Sequence, residues 1–115
     1  MKIIIAGSRN FNNYNLLKSK CNFYMKNINH VEIINGMANG ADKLGIHYAS
    51  ENNLPVNKFP ADWYKYGKRA AYIRNRKMAV YADALIAFWN GKSKGTKMMI
   101  ELAKQYNLKV RIVYY

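Results

Sequence analysis

Short apolar runs alternate along this chain with longer stretches in which apolar residues recur every three or four positions. Lys2 to Ala6 opens the pattern with Ile3-Ile4-Ile5, consecutive β-branched residues that predict a buried strand. Beyond Gly7-Ser8-Arg9 and the turn-rich Asn10 to Asn13, Leu17, Cys21, Tyr24, Met25 and Ile28 fall at helical spacing and predict a first helix. Val31 to Ile34 reads as a second strand. Gly36 to Gly40 breaks it, and the helix that follows carries Asp42 in its first turn, suited to a helix N-terminus. Pro55 closes that unit. Val56 to Phe59 reads as a third strand, Pro60 to Lys68 as an aromatic and basic loop, and Arg69 to Tyr81 as a third helix. Ala84 to Trp89 is apolar at six consecutive positions and predicts a strand covered on both faces. Asn90 to Gly95 then precedes a helix from about Thr96 to Tyr106, and Val110 to Tyr114 closes the chain as a fifth strand.

Five strands separated by four helical units specify right-handed crossovers and an α/β fold of three layers, a parallel sheet with helices on both faces. Ligands of such sheets bind beyond the carboxyl ends of the strands, where the strand order reverses. Bringing the glycine loops after the first and fourth strands together at that switch point predicts the order 3-2-1-4-5. At 115 residues the chain makes one domain spanning 1–115.

Charge sharpens the picture. Lys and Arg number 19 against 6 Asp and Glu, a formal net charge of +13 that favours anionic partners: nucleotides, nucleic acid or an acidic surface. The longest apolar run is far short of the roughly twenty residues a membrane span needs, and the N-terminal run is too short for a secretory signal, so a cytoplasmic protein without a membrane partner is expected. A single cysteine, Cys21, excludes an internal disulfide and a cysteine-rich zinc site, and His30 and His47 have no ligand-spaced neighbour. The chain therefore presents no metal set.

The loops at the ligand edge hold the candidate chemistry. Gly7, Ser8 and Arg9 follow the first strand directly, where small residues let backbone amides approach a ligand and arginine can make a bidentate contact, although an ordinary turn has the same composition. Gly36, Ala38, Asn39, Gly40 and Asp42 occupy a strand-to-helix junction suited to tight turning and anion binding, with Asp42 equally suited to complementing the helix dipole. Asn90 to Thr96 contains Gly-Lys-Ser but is not a P-loop, because the position five residues before Gly91 is Ile86, inside a strand. Lys92, Ser93, Gly95 and Thr96 instead suit a helix N-terminus able to hold phosphate. In the third helix, with Ala71, Met78 and Ala82 as the inward stripe, Arg74 and Asn75 lie on or beside the same face. An inward arginine needs a partner, either a ligand group or the carboxylate of Asp62 or Asp42. Trp63, Tyr64, Tyr66 and Trp89 could supply a stacking surface for a base or cap the core.

Taken together, Ile5 to Phe11, Asn35 to Leu44, Phe59 to Trp63, Ile73 to Met78 and Ala87 to Thr96 resemble the SLOG superfamily of Rossmann-like nucleotide-binding domains, specifically its small YspA-like, cpYpsA-related branch. The resemblance covers nearly the whole chain. It implies a pocket for a nucleotide or nucleotide-derived ligand built by the first and last glycine loops, with Arg74 and Asn75 beside them. More distant relatives, the LOG phosphoribohydrolases, have a Pro-Gly-Gly-x-Gly-Thr-x-x-Glu pattern whose glutamate assists cleavage of the N-glycosidic bond. Counted from Gly95-Thr96, that position is Met99, and Glu101 lies about 200° around the helix from it. Asn35 and Asn39 stand where many relatives have glycine and arginine.

The resulting expectation is a module that senses or sequesters a nucleotide-derived molecule, such as an ADP-ribose-type signal, with no catalytic residue and no cofactor required. A domain this small could act as a stand-alone sponge, for example in a phage, and a homo-oligomer is compatible with it. The alternatives are an N-glycosidic hydrolase using Asp62 or Asp42, and a nucleic-acid-binding protein suggested by the charge and the aromatics. Residues 58–78 hold seven Lys or Arg and one Asp, a clustering that does not separate these readings.

Overall fold

A computed structural model describes all 115 residues. The strands β1 (Lys2–Gly7), β2 (Glu32–Asn35), β3 (Val56–Lys58), β4 (Ala84–Trp89) and β5 (Lys109–Tyr114) form one sheet in the order β3-β2-β1-β4-β5. Every pairing is parallel. The helices are α1 (Tyr14–Met25), α2 (Ala41–Glu51), α3 (Trp63–Tyr66), α4 (Ala70–Tyr81) and α5 (Lys94–Gln105), with a 3-10 turn over Gly67–Arg69 leading into α4.

Strand alternation builds two cores. Ile3, Ile5, Ile33, Ile86 and Phe88 point to one face and pack with Leu17, Cys21, Met25, Tyr48 and Ala49 from α1 and α2. Ile4, Ala6, Ile34, Leu85 and Ala87 point to the other and pack with Met78 and Ala79 of α4 and Met99, Ile100 and Ala103 of α5. The three central strands are thus apolar at successive positions because both of their faces are covered. Cys21 is fully buried in the first of these cores, and that burial pushes its thiol up to about 12.

Local sequence explains the departures from the expected boundaries. The segment 60–68 folds into α3 instead of an open loop, because the Asp62 carboxylate accepts from Lys65 N at 3.0 Å and Gly67, at φ 54°, ends the turn. The last helix begins two residues earlier than its apolar period suggests: Ser93 is its N-cap and accepts from Thr96 N at 3.3 Å. Met78 of α4 and Ala82, which caps the helix, are buried as expected, whereas Ala71 is half-buried on the wall of a cleft.

The switch point falls between β1 and β4. Gly7 pairs with Phe88 so closely that a Cβ on Gly7 would stand 2.3 Å from the Phe88 carbonyl oxygen. Ser8 N continues the contact, donating to Phe88 O at 3.0 Å. Phe11, buried against the Phe88 ring at 5.0 Å, then pins the far end of the β1 loop to the core. The loops that follow β1 and β4 are therefore held side by side at the sheet edge.

Candidate functional site

A cavity of about 400 Å³ opens at this switch point. Gly7, Ser8, Arg9 and Asn10 contribute one wall, Ala38 and Asp42 a second, Ala71, Arg74, Asn75 and Met78 of α4 a third, and Asn90, Ser93, Gly95, Thr96, Met98 and Met99 the last. A neighbouring cavity of about 420 Å³ is lined by Gly36, Met37, Asn39, Pro60, Ala61 and Trp63, and it shares Arg9, Ala38 and Arg74 with the first.

Two buried polar side chains, Asn35 and Asp42, and the half-buried Arg74 of α4 organise the wall between β2 and α2. Asn35 is fully buried; its amide donates to the Asp42 carbonyl at 2.8 Å, and its oxygen accepts from Met37 N at 2.8 Å. Asn35 thereby does with a side chain what a glycine could not: it fastens the loop to the first turn of α2. Asp42 is 5% exposed, and its carboxylate accepts from Ala38 N at 3.2 Å. Arg74 donates from Nη1 to the Gly36 carbonyl and from Nε to the buried Asn75 side chain at 2.6 Å. Gly36 passes between Arg74 and Asp42, where an added Cβ would lie 3.0 Å from each.

The electrostatics of this wall are unbalanced. Neither Asp42 nor Asp62 makes an ion pair with Arg74; the molecule's Lys–carboxylate pair is Lys97–Glu101, and His47 Nε2 stands 4.0 Å from Glu51. Burial pushes the Asp42 carboxyl up to about 6, against the opposing pull of the Ala38 amide and the Arg74 charge. Burial also weakens the hold of Arg74 on its proton, and the nearby Arg9 charge acts in the same direction, while Asp42 opposes both. Arg9 and Arg74 both border this cleft. On its wall lies Ser8, 2% exposed, whose buried hydroxyl finds no hydrogen-bond partner in the protein.

The raised Asp42 carboxyl has a measurable consequence. Its folded value lies above the ordinary 3.8, so between about 4 and 6 the native state binds more protons than the unfolded chain. This contribution favours folding most below the lower value, declines as pH rises through the window, and is constant above it. Asp42→Asn keeps an acceptor for Ala38 N and removes the buried charge. The variant is expected to be more stable than the parent at pH 7 by up to roughly 2–3 kcal/mol, since each tenfold change in proton affinity is worth about 1.4 kcal/mol. The gain should shrink toward zero at pH 4. Urea unfolding of both proteins at the two pH values measures the difference.

At the fourth wall, Asn90 Oδ1 accepts from Lys92 N and Ser93 N, both at 2.9 Å, and the Ser93 and Thr96 hydroxyls meet at 3.0 Å. The cap takes up the Thr96 amide and hydroxyl, which leaves the first-turn amides of Lys94 and Gly95 without intrahelical acceptors. Met99 is buried on the cleft floor beside Met78. Glu101 is exposed on the far side of α5, with Lys97 at 3.9 Å.

Of the residues singled out from sequence, Gly7, Ser8, Arg9, Ala38, Asp42, Arg74, Asn75, Ser93, Gly95 and Thr96 line the first cavity, and Gly36, Asn39 and Trp63 the second. Four lie elsewhere. Gly40 shapes the loop from behind, Lys92 is exposed outside both cavities, and Asp62 is spent on capping α3. Trp89 packs on Tyr114 and donates its indole N–H to Ser93 O at 3.0 Å, so it braces the β4 loop and presents no stacking face to the cleft. Asn10, Asn35, Met37 and Asn90 are additional contributors. Asn35 and Asn90 carry a recognisable signal, an asparagine at a strand end just before a glycine, which suits it to bonding the backbone two residues on.

The first and second walls, with the Asn35 to Leu44 loop and the Asp62-Trp63 turn, fall within residues 1–66, and those residues match the family model described as YAcAr: YspA, cpYpsA-related SLOG family. The chain belongs to this SLOG family. The matched segment covers β1 through α3, and the rest of the chain supplies β4, β5 and the α4 and α5 walls of the SLOG cleft. No curated protein and no solved structure matches the chain.

Proposed function

We propose that this SLOG protein binds a nucleotide or nucleotide-derived anion, of ADP-ribose type, in the switch-point cleft and acts by sensing or sequestering it. The observation that carries the reading is a switch-point cleft lined by both Arg9 and Arg74, with the buried Ser8 hydroxyl on its wall left without a hydrogen-bond partner in the protein. A phosphate would accept from Arg9 and Arg74 and from the free first-turn amides of α5. A ribose hydroxyl would satisfy Ser8 and meet Asp42 and Asn75. Sequestration requires no acid or base, which accords with Met99 on the cleft floor. The phage-type sponge, the homo-oligomer and the cytoplasmic setting belong to the same proposal. No helix is long and apolar enough to cross a membrane.

One observation favours a second reading, hydrolysis of an N-glycosidic bond. Asp42 holds a carboxyl raised to about 6 in the cleft, within the range useful to a general acid or base. Asp62, its alternative in that role, is turned away to α3.

Calorimetric titration with ADP-ribose and with mononucleotides, at low and moderate salt, tests the proposal. Ligand-sized binding with a shallow salt dependence supports it, and product release during titration would promote the hydrolase. Tight binding to random duplex DNA, weakening steeply with salt and without small-molecule affinity, would replace it with nucleic-acid binding. On the same instrument Ser8→Ala should bind more weakly. Because the substitution deletes a buried hydroxyl that bonds to nothing, urea unfolding should show stability unchanged or raised by about 1 kcal/mol.

A further inference from the structure

Helix α4 carries apolar residues on two faces. At about 100° per residue, Ala71, Arg74, Asn75 and Met78 gather on the side that walls the switch-point cleft. About half a turn around the helix, Tyr72, Ile73, Val80 and Tyr81 line a separate groove of about 500 Å³, with Phe59, the residue after β3, across from them. The groove shares no residue with either cavity at the sheet edge. Its lining is almost wholly apolar, so the cations that border it, Arg69, Arg76 and Lys77, meet it with their stems. Tyr72 is 42% exposed and Val80 62% exposed, and neither they nor Ile73 belong to a core. Apolar side chains at i, i+1 and i+8 along one exposed helix face form a contiguous patch of the kind that marks an interaction surface.

The charge around the groove is of one sign. None of its three bordering cations stands in an ion pair, and Arg76 bonds only the neutral Tyr106 hydroxyl, at 3.0 Å. A further cation, Lys2 Nζ, lies 4.0 Å from the centre of the Tyr81 ring. Glu32, which accepts from the Tyr81 hydroxyl at 3.2 Å, is outside the lining. An apolar floor between cations is the complement of an amphipathic helix with acidic flanks. A second copy of this chain is a poor occupant, because each of its six acids is buried or already bonded: Asp42 is buried, Asp62 caps α3, Asp83 accepts from Lys2 N, and Glu32, Glu51 and Glu101 hold Tyr81, Tyr14 and Lys97. A bilayer takes up protruding side chains, whereas Phe59 and Ile73 are recessed and half-buried.

We infer that the groove on the outer face of α4 docks an acidic amphipathic helix of a partner protein, its apolar stripe on Phe59, Tyr72, Ile73 and Val80 and its carboxylates against Arg69, Arg76 and Lys77. The inference is independent of what the switch-point cleft binds, since the two surfaces use opposite sides of one helix.

The probe is a fluorescent, covalently stapled helical peptide of about four turns, with leucines at i, i+3 and i+7 and glutamates along both flanks. Anisotropy titration of the full chain should give a dissociation constant in roughly the micromolar range, and the same peptide with serine for leucine, or lysine for glutamate, should not bind. Val80→Gln should weaken binding about tenfold by placing an amide in the apolar contact. Arg69→Glu with Lys77→Glu should weaken it by a similar factor at low salt, while Lys26→Glu, the same reversal at the end of α1, changes it little. Val80, Arg69, Lys77 and Lys26 are exposed and outside both cores, so these variants retain the fold. No binding of the peptide up to about 1 mM, or binding that Val80→Gln leaves intact, would overturn the inference. It would also fall if Val80→Gln dissolves a dimer seen by sedimentation, which would assign the groove to a second copy, or if it abolishes binding to phosphatidylglycerol vesicles while the peptide does not bind, which would assign the face to a membrane.

Discussion

Gly40→Ala is expected to destabilise the protein by about 3 kcal/mol or more, a large share of the roughly 5–15 kcal/mol typical of a domain. Gly40 sits at φ 74°, ψ −126°, a combination open to glycine and closed to residues with a Cβ. An added Cβ would also stand 2.3 Å from the Ser8 carbonyl oxygen and 2.5 Å from that of Arg9. Backbone strain and overpacking each cost about 1–3 kcal/mol, and neither can relax without moving the other loop. The loops after β1 and β2 are locked together here, since Ser8 O also accepts from Ala41 N at 3.4 Å and from Phe11 N at 3.1 Å. Gly95→Ala provides the contrast. It lies in the first turn of α5 with nothing within 4 Å of the new methyl, so its stability should match or slightly exceed the parent's. A urea midpoint for Gly40→Ala equal to that of Gly95→Ala would refute this explanation of the loop.

Arg74→Ala is expected to have the largest effect on affinity. Loss of a charge-assisted hydrogen bond removes about 1.5–3 kcal/mol, so binding of a phosphate-bearing ligand should fall at least about tenfold. Stability should fall as well, by about 1–3 kcal/mol, because the buried Gly36 carbonyl and Asn75 side chain lose their donor. Arg74→Lys separates the two roles. It restores positive charge between the cavities but cannot make both bonds of the guanidinium fork, so affinity should recover further than stability. If Arg74→Ala unfolds more easily yet titrates with the parent's affinity, the arginine is a strut for the β2 loop and nothing more.

The fold was legible because the two buried central strands announce themselves. Ile3-Ile4-Ile5 and Ala84 to Trp89 have no polar side to turn to water, and only a sheet covered on both faces accommodates that. The helix α3 was hidden because four residues are too few to display a period; its cue is the Asp62 side chain, which acts on Lys65 N. Arg74 could be placed inward because it interrupts an apolar stripe, but its partners could not be foreseen. The carbonyl of Gly36 reaches it from 38 positions away through the pairing of β2 in the sheet. Trp89 shows the opposite limit. Its place at the end of β4 follows from sequence, whereas the direction of its indole depends on the turn that brings Ser93 O beneath it. Left-handed backbone at Met37 carries no sequence mark of its own, because the residue that holds it there is Asn35.

The lone cysteine makes ligand occupancy and mutational damage measurable without denaturant. Alkylating reagents attack the thiolate, and Cys21 is both sealed from solvent and held almost wholly in the thiol form at neutral pH. Labelling must therefore wait for α1 to part from the sheet. Where reclosing is fast, the labelling rate follows the population of that open form and hence the free energy of opening. A ligand that grips the β1 loop would slow the modification of a sulfur on the opposite face of the sheet, so mass spectra taken over time would report both effects on one scale, in micrograms of protein and in native buffer.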